Sequence, residues 1–288
     1  MSSANAPALI SWVNHVDDST LTNSSTGGTE SLTDENVKTR QLGQVFRMDF
    51  TGSPEGGTLI LDIDMGSNKD IGLICILGHD MAGLGYTITI GTTLGGSQIW
   101  DSTVSPDNVF WGGTSWDAQN EIIIPSTVQT GGRYVRISVV VATARTCDIG
   151  RVWIDDPFQT RMLTDFSLGV VDRSNIVVTQ TAGIFETSRR RVRVLNCNIQ
   201  GDDEDEIRGA AGDADLQSLV TMDLACGVSQ EIIVAPYYTS GTANTANQLN
   251  RQRLTVYGRM SNSGPIQWGH KDGAEWAARK RFSVEEAF

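Results

Sequence analysis

Apolar residues in this chain recur at every second position in run after run, and side chains that alternate in this way belong to strands with one buried face. In Tyr86–Gly91, Tyr86, Ile88 and Ile90 share one face while Thr87 and Thr89 share the other. Gly57–Asp64 alternates likewise, and the apolar run Ile71–Leu77 follows the turn-like Gly66–Lys69. Further strands are predicted at 121–125, 133–141 and 147–154, set apart by Gly131 and Gly132 and ended by Asp155, Asp156 and Pro157. The later part of the chain predicts strands at 175–179, 189–195, 231–235, 253–257 and 281–284. Helical spacing occurs once: the acidic stretch 202–206 precedes Ile207, and Leu216, Leu219, Val220 and Leu224 follow until Gly227 supplies a stop. Gly209 and Gly212 weaken the first turns of that helix.

A length of 288 residues favours two domains, each able to bury its own core. The pattern therefore predicts a mainly β chain. Residues 1–157 are expected to form an N-terminal β-sandwich, and residues 158–288 a second, β-rich α+β domain with one helix near 203–226. The stretch from Asp155 to about Val170 reads as the hinge between them.

Charge and termini narrow the function classes. A net charge of −12 with a pI near 4.6 argues against a sequence-independent grip on nucleic acid, which needs a basic field. The N-terminus lacks the basic and apolar regions of a signal peptide, and no run of 18 apolar residues predicts a membrane span. Cys75, Cys147, Cys197 and Cys226 show neither metal-ligand nor disulfide-framework spacing and are expected to be reduced.

Catalysis needs titratable groups that converge, and only His15, His79 and His270 are present as histidines. His79 follows an apolar strand, where a bond to neighbouring backbone is the commoner arrangement. Asp17 with Asp18, Asp62 with Asp64 and Asp155 with Asp156 offer carboxylate pairs, yet nothing selects one for glycoside hydrolysis. Asp62 and Asp64 share the polar face of a strand and are expected to be solvated. Asp64–Asp70 is oxygen-rich but lacks the spacing of a calcium loop. The chain thus predicts no enzyme, no catalytic residue, no metal and no cofactor.

Two groups of residues remain as binding candidates. Trp100, Trp111 and Trp116 lie on a loop-like stretch, where they either stack a sugar or cap the sandwich core. Arg189, Arg191 and Arg193 share one face of a strand and either pair within the chain or meet another subunit. Residues 264–282 place Trp268, Trp276, Arg279 and Arg281 on an acidic chain, the composition of an interface arm, with a closing strand of the second domain as the alternative.

In order, Gly57–Asp64, Asp70–His79, Tyr86–Ile90, Arg133–Ser138 and Cys147–Ile154 resemble the strands of a galactose-binding-like jelly roll of the discoidin type, over roughly residues 8 to 155. Such domains bind sugars, lipids or proteins through end loops, or act as packing modules. The order of Arg189–Asn198, the acidic helix, Glu231–Pro236, Arg253–Gly258 and Arg279–Glu286 is similar to the β-rich part of tail-tip or minor structural proteins of tailed bacteriophages of the siphophage type. That resemblance implies a structural virion protein at the distal tail, made in the host cytoplasm, with itself and other phage tail proteins as partners. The alternative it leaves is a carbohydrate-binding adhesin module that meets a host surface glycan.

Overall fold

The computed structural model describes residues 7–53, 55–102, 109–110, 120–125, 127–162, 166–178, 184–187, 191–201, 204–209, 218–227, 230–236, 252–271 and 275–287. The chain is mainly β and divides into two compact units. Strand β1 (Pro7–Ser11) belongs with the later unit, and the chain then turns to the earlier one, built on Val13–Pro157.

Its strands are β2 (Thr20–Asn23), β3 (Thr29–Leu32), β4 (Phe46–Asp49), β5 (Gly57–Ile71), β6 (Leu73–Leu77) and β7 (Tyr86–Gly91). They continue with β8 (Trp100–Asp101), β9 (Asn120–Ile123), β10 (Gln129–Val141), β11 (Thr146–Ile149) and β12 (Arg151–Asp155). One sheet runs in the order β2-β5-β10-β7-β8, and shorter sheets β12-β6-β9 and β11-β4-β3 supply the other layer of a sandwich. Alternation aims Leu59, Leu61 and Ile63 of β5 and Val135, Ile137 and Val139 of β10 into one core. Ile74, Ile76, Val152 and Ile154 meet them from the second layer. All five residues of β6 and of β12 are buried, which is why these segments read as continuous runs and not as alternation.

The turn expected at Gly66–Lys69 is instead a bulge within one long strand. Asp64 pairs with Tyr134 and Lys69 with Gly132, so Met65, Gly66, Ser67 and Asn68 stand opposite Arg133 alone. Gly66 takes the left-handed conformation (φ 75°) that the extra residues require. The run 147–154 is likewise divided, with β11 and β12 in different sheets.

The stretch expected to be a hinge contains strands. β13 (Phe158–Met162) and β14 (Ser167–Val171) lead to the hairpin β15 (Asn175–Val178) and β16 (Ile184–Thr187), then to β17 (Val192–Gly201). The helical segment holds two short helices, α1 (Glu204–Arg208) and α2 (Leu219–Ala225). Gly209, with φ 90°, ends the first, because a helix cannot continue through a left-handed residue. Next come β18 (Glu231–Ala235), β19 (Val256–Ser263), β20 (Gln267–Lys271) and β21 (Glu275–Glu286). A helical turn at 252–254 occupies the start of the strand expected at 253–257.

These strands close on themselves. β17 bonds β13, β13 bonds β1, and the ring continues through β18, β19 and β21 back to β17, all antiparallel. One edge of β17 is shared: residues 192–196 pair with β14 and residues 199–200 with β13. The second unit is thus a closed six-stranded barrel. Inside it lie Ala8, Ile10, Leu195, Cys197, Ile199, Ile232, Val234, Phe282 and Val284, with Ile207, Leu219 and Met222 of the two helices packed on. All the described strands of the sandwich lie in the connection between β1 and β13, whose ends meet where Ile10 pairs with Phe158.

Because Ile10 is fully buried between two partner strands, Ile10→Ala should cost about 2–5 kcal/mol. Hydrogen exchange read at β13 and β18 should show the lost protection, with β5 and β10 of the sandwich unchanged. Equal loss in both units would contradict this assignment of β1.

Candidate functional site

The aromatic loop candidates separate once the first unit is folded. Trp100 is half-buried on β8 and packs against the sandwich core, so its indole covers apolar side chains instead of standing free. Trp111 and Trp116 lie outside the described residues. Their neighbour Phe110 is fully buried, its ring centroid 4.6 Å from that of His79 and 4.7 Å from that of Tyr86.

His79 sits in apolar surroundings and accepts a bond from the Met81 amide at Nδ1 (3.3 Å), while its Nε2 is buried with no partner. Burial drives its pKa down from 6.5 to about 3, so the ring is neutral. Asp62 is buried and not solvated as expected: Arg136 donates to both its oxygens at 2.6 and 2.9 Å. Arg133 grips Asp64 in the same bidentate way at 2.7 and 2.9 Å, and those bonds hold the Asp64 carboxyl below the usual range. Asp62 stands directly opposite Arg136 on β5 and β10, and Arg133 reaches Asp64 from the bulge beside Tyr134, which is a structural use of both carboxylates.

All four cysteines are buried and unpaired with one another. Burial pushes the thiols up, to about 11 for Cys147 and about 12 for Cys226, so none is a ready nucleophile. Among the described residues no cluster of His, Cys, Asp and Glu could hold a metal ion, and no helix is long and apolar enough to cross a membrane.

The arginine candidates on β17 also divide. Arg189 lies outside the described residues, and Arg191 is exposed with only a loose 3.5 Å pairing to Asp172. Arg193 corrects the expectation of a contact with another subunit. It falls on the inward face of β17 with Leu195 and Cys197, is 2% exposed, and is bonded to Glu286 of β21. Alternation therefore aims Arg193 into the barrel, where the carboxylate at the end of β21 meets it.

Residues 264–282 form the hairpin β20–β21 and not a free arm; β21 is bonded to β17 on one side and to β19 on the other. Trp268 is 45% exposed, with the Arg208 guanidinium 5.8 Å from its ring centroid, so it lies outside the core. Trp276 is on β21, and its side chain is outside the described ones. Lys280 points inward and is fully buried, bonded to Asp223 of α2, to Ser263 Oγ (2.9 Å) and to the Gly264 carbonyl (3.0 Å). Three acceptors satisfy its three protons.

Arg279 and Arg281, the outward neighbours of Lys280, come together with residues the linear pattern did not mark. Asn198 pairs with Arg281 and Asn196 with Ser283 across β17 and β21, and Asn262 pairs with Ser283 from β19. Here β19 slips register between Met260 and Asn262, and the irregularity opens a pocket of about 350 Å³. Asn196, Asn198, Asn262, Arg281 and Ser283 line it, with Cys197, Phe282 and Gly264. Ser283 donates to Asn196 Oδ1 (2.7 Å), and Asn196 donates to Ser167 Oγ (3.1 Å), so part of the floor is already ordered. Gly264 is held twice, by its amide to the Arg281 carbonyl (2.9 Å) and by its carbonyl to Lys280. The polar alternation of Asn196 and Asn198 about Cys197 is visible in sequence, but Asn262 reaches them only through strand pairing.

No family model and no curated protein matches the chain. Among solved structures it is similar to chitosan-binding module 1 of a chitosanase/glucanase from Paenibacillus sp. IK-5, at 16% identity over 50% of this chain and 99% of that one, with a TM-score of 0.36. It is also similar to the module CpGH89CBM32-6 from Clostridium perfringens (20% identity, 49% of this chain, 98% of that one, TM-score 0.34). A third is the family 32 CBM from C. perfringens NanJ in complex with galactose (12% identity, 51% of this chain, 98% of that one, TM-score 0.33). These likenesses are too distant to assign a ligand to any residue here.

Below pH 6.5 the unfolded chain takes up a proton at His79 that the native protein refuses. Stability should therefore fall as pH falls from 6.5 toward 3, by up to about 1.4 kcal/mol per pH unit from this group. Urea unfolding at several pH values checks it, and His79→Gln should flatten that slope. For the barrel, Arg193→Met strands Glu286 in the interior and should cost about 3–5 kcal/mol, whereas adding Glu286→Leu should recover most of it. If the double variant is no better than the single one in denaturant midpoint, the pair is not what the two residues contribute.

Proposed function

We propose that this chain is a non-catalytic binding protein whose barrel wall recognises a carbohydrate. The observation that carries this is the pocket at the β19 irregularity, where side-chain amides, a hydroxyl and a guanidinium converge on an outward-facing surface. Its volume falls within the range of small-ligand sites, and oriented amides and hydroxyls are the groups that match sugar hydroxyls. Its elements are strands pinned by Lys280 from beneath, so ligand binding would order few groups that are not ordered already. Activity without turnover is supported by the neutral His79, the paired Asp62 and Asp64, and the protonated thiols.

A second reading is a structural virion protein at the distal tail of a tailed phage, made in the host cytoplasm and joined to copies of itself and to other tail proteins. The observation that favours it is β14, which among the described residues pairs only with β17 and exposes Val170 and Val171 without a single charge along the strand. Such an edge is open to strand addition. Mass spectrometry of purified virions tests this reading by presence and copy number.

For the main reading, the intact protein should bind members of a glycan array with no release of product. Asn262→Ala, an exposed change that leaves the Asn196–Ser283–Ser167 chain intact, should weaken binding about tenfold, the size of one lost hydrogen bond to a charged or well-placed group. Silence across the array, or hydrolysis of a bound glycan, would overturn the proposal.

A further inference from the structure

The groups of the pocket that are still uncommitted point to the chemistry of its ligand. Asn196 is engaged through both its amide atoms, with Ser283 and Ser167, and Gly264 is held at both backbone groups. Arg281 is exposed and makes no ion pair with any described residue, and Asn262 is exposed beside it. In a chain of 34 acidic and 22 basic residues a guanidinium readily finds a carboxylate. Arg47, Arg133, Arg136 and Arg193 each have one at short range. Arg281 does not, and no Asp or Glu lines the pocket.

Arg279 extends the same chemistry. It lies two residues away on the outward face of β21, about 6.6 Å along the strand, and is held by Gln200 Oε1 through its Nε (3.0 Å). Arg279 is exposed, so its side chain is open to solvent beyond that bond. Two guanidinium groups that, among the described residues, have no carboxylate partner, set beside asparagine amides, make a surface rich in donors.

We infer that the pocket takes an acidic saccharide, a sugar residue bearing a carboxylate, with Arg281 gripping the carboxylate and Asn262 a ring hydroxyl. This rests on the carbohydrate-binding reading above and names its ligand class. A planar guanidinium matches a carboxylate in bidentate fashion, and that match gives direction as well as charge. The concave lining, in which amides, a hydroxyl and a guanidinium surround the apolar Phe282 and Cys197, suits a sugar residue, with its polar rim and apolar face, better than a protein partner, whose interface core would be apolar and broad. The net charge of −12 repels an anionic polymer at long range, so its binding has to come from close contact with Arg281 and Arg279.

Calorimetric titration of the full chain tests this with four probes of matched length: oligogalacturonate, a neutral galactan, a sulfated heparin oligosaccharide and polyglutamate. The expected result is binding of oligogalacturonate at least tenfold tighter than of the other three. Arg281→Gln should abolish that preference while its thermal unfolding matches wild type, and Arg281→Lys should retain only part of it, since the charge remains and the fork is lost. Equal binding of the neutral galactan overturns the acidic class and leaves the carbohydrate reading standing. Polyglutamate or heparin binding as well as oligogalacturonate overturns the carboxylated sugar in favour of an acidic protein or a sulfated ligand. No binding of any probe, together with a silent glycan array, overturns both.

Discussion

The pairing of β1 on both of its edges is the constraint on which the barrel depends. Five residues, Pro7–Ser11, bridge β13 and β18, and without them the ring from β17 to β21 would open into a sheet with two bare edges. The first described strand of the chain and the last thus belong to one unit, although the strands of the sandwich lie between β1 and its partner β13. Closure of this kind is slow to find, because β1 must wait for partners more than 145 residues away.

Once closed, the barrel sorts its charged residues by the alternation of two strands. On β21 the even positions 280, 282, 284 and 286 turn inward and the odd positions 279, 281, 283 and 285 turn outward. Lys280 and Glu286 therefore enter the interior and need partners, which Asp223 and Arg193 provide. Arg279 and Arg281 face outward beside them in sequence and are left for solvent or ligand. One run of basic residues thus supplies both an internal clamp and an external surface. The clamp also serves the surface: Lys280 fixes Ser263 and its neighbour Gly264, and Gly264 lines the pocket.

The sandwich uses its charge differently. Asp62 and Asp64 are bonded across the strands by Arg136 and Arg133, Cys75, Cys147 and His79 are buried in forms without charge, and Trp100 leans on the core. These assignments account for most of the chemically notable side chains of that unit without a ligand. The polar groups of the pocket lie instead on the barrel wall, where a slip in the register of β19 leaves a hollow between otherwise regular strands.

Local period and turn chemistry were enough, from sequence alone, to establish a mainly β chain, the sandwich strands at 57–64, 86–91 and 133–141, and the weakness of the helix at Gly209. These depend on neighbours a few residues apart, which a linear pattern records. Only the tertiary structure decided that Gly66–Lys69 is a bulge, that β1 is a stave of the later barrel, and that Arg193 is inside while Arg281 is outside. Register and strand partnership set those outcomes, and a shift of one residue would exchange the two faces. The same holds for the candidate site: Arg279 and Arg281 were marked by charge on an acidic chain, whereas Asn196, Asn198, Asn262 and Ser283 became a pocket only when β17, β19 and β21 were brought side by side. Single asparagines and serines on strands carry no signal of their own, since their meaning lies in which strand stands next to them.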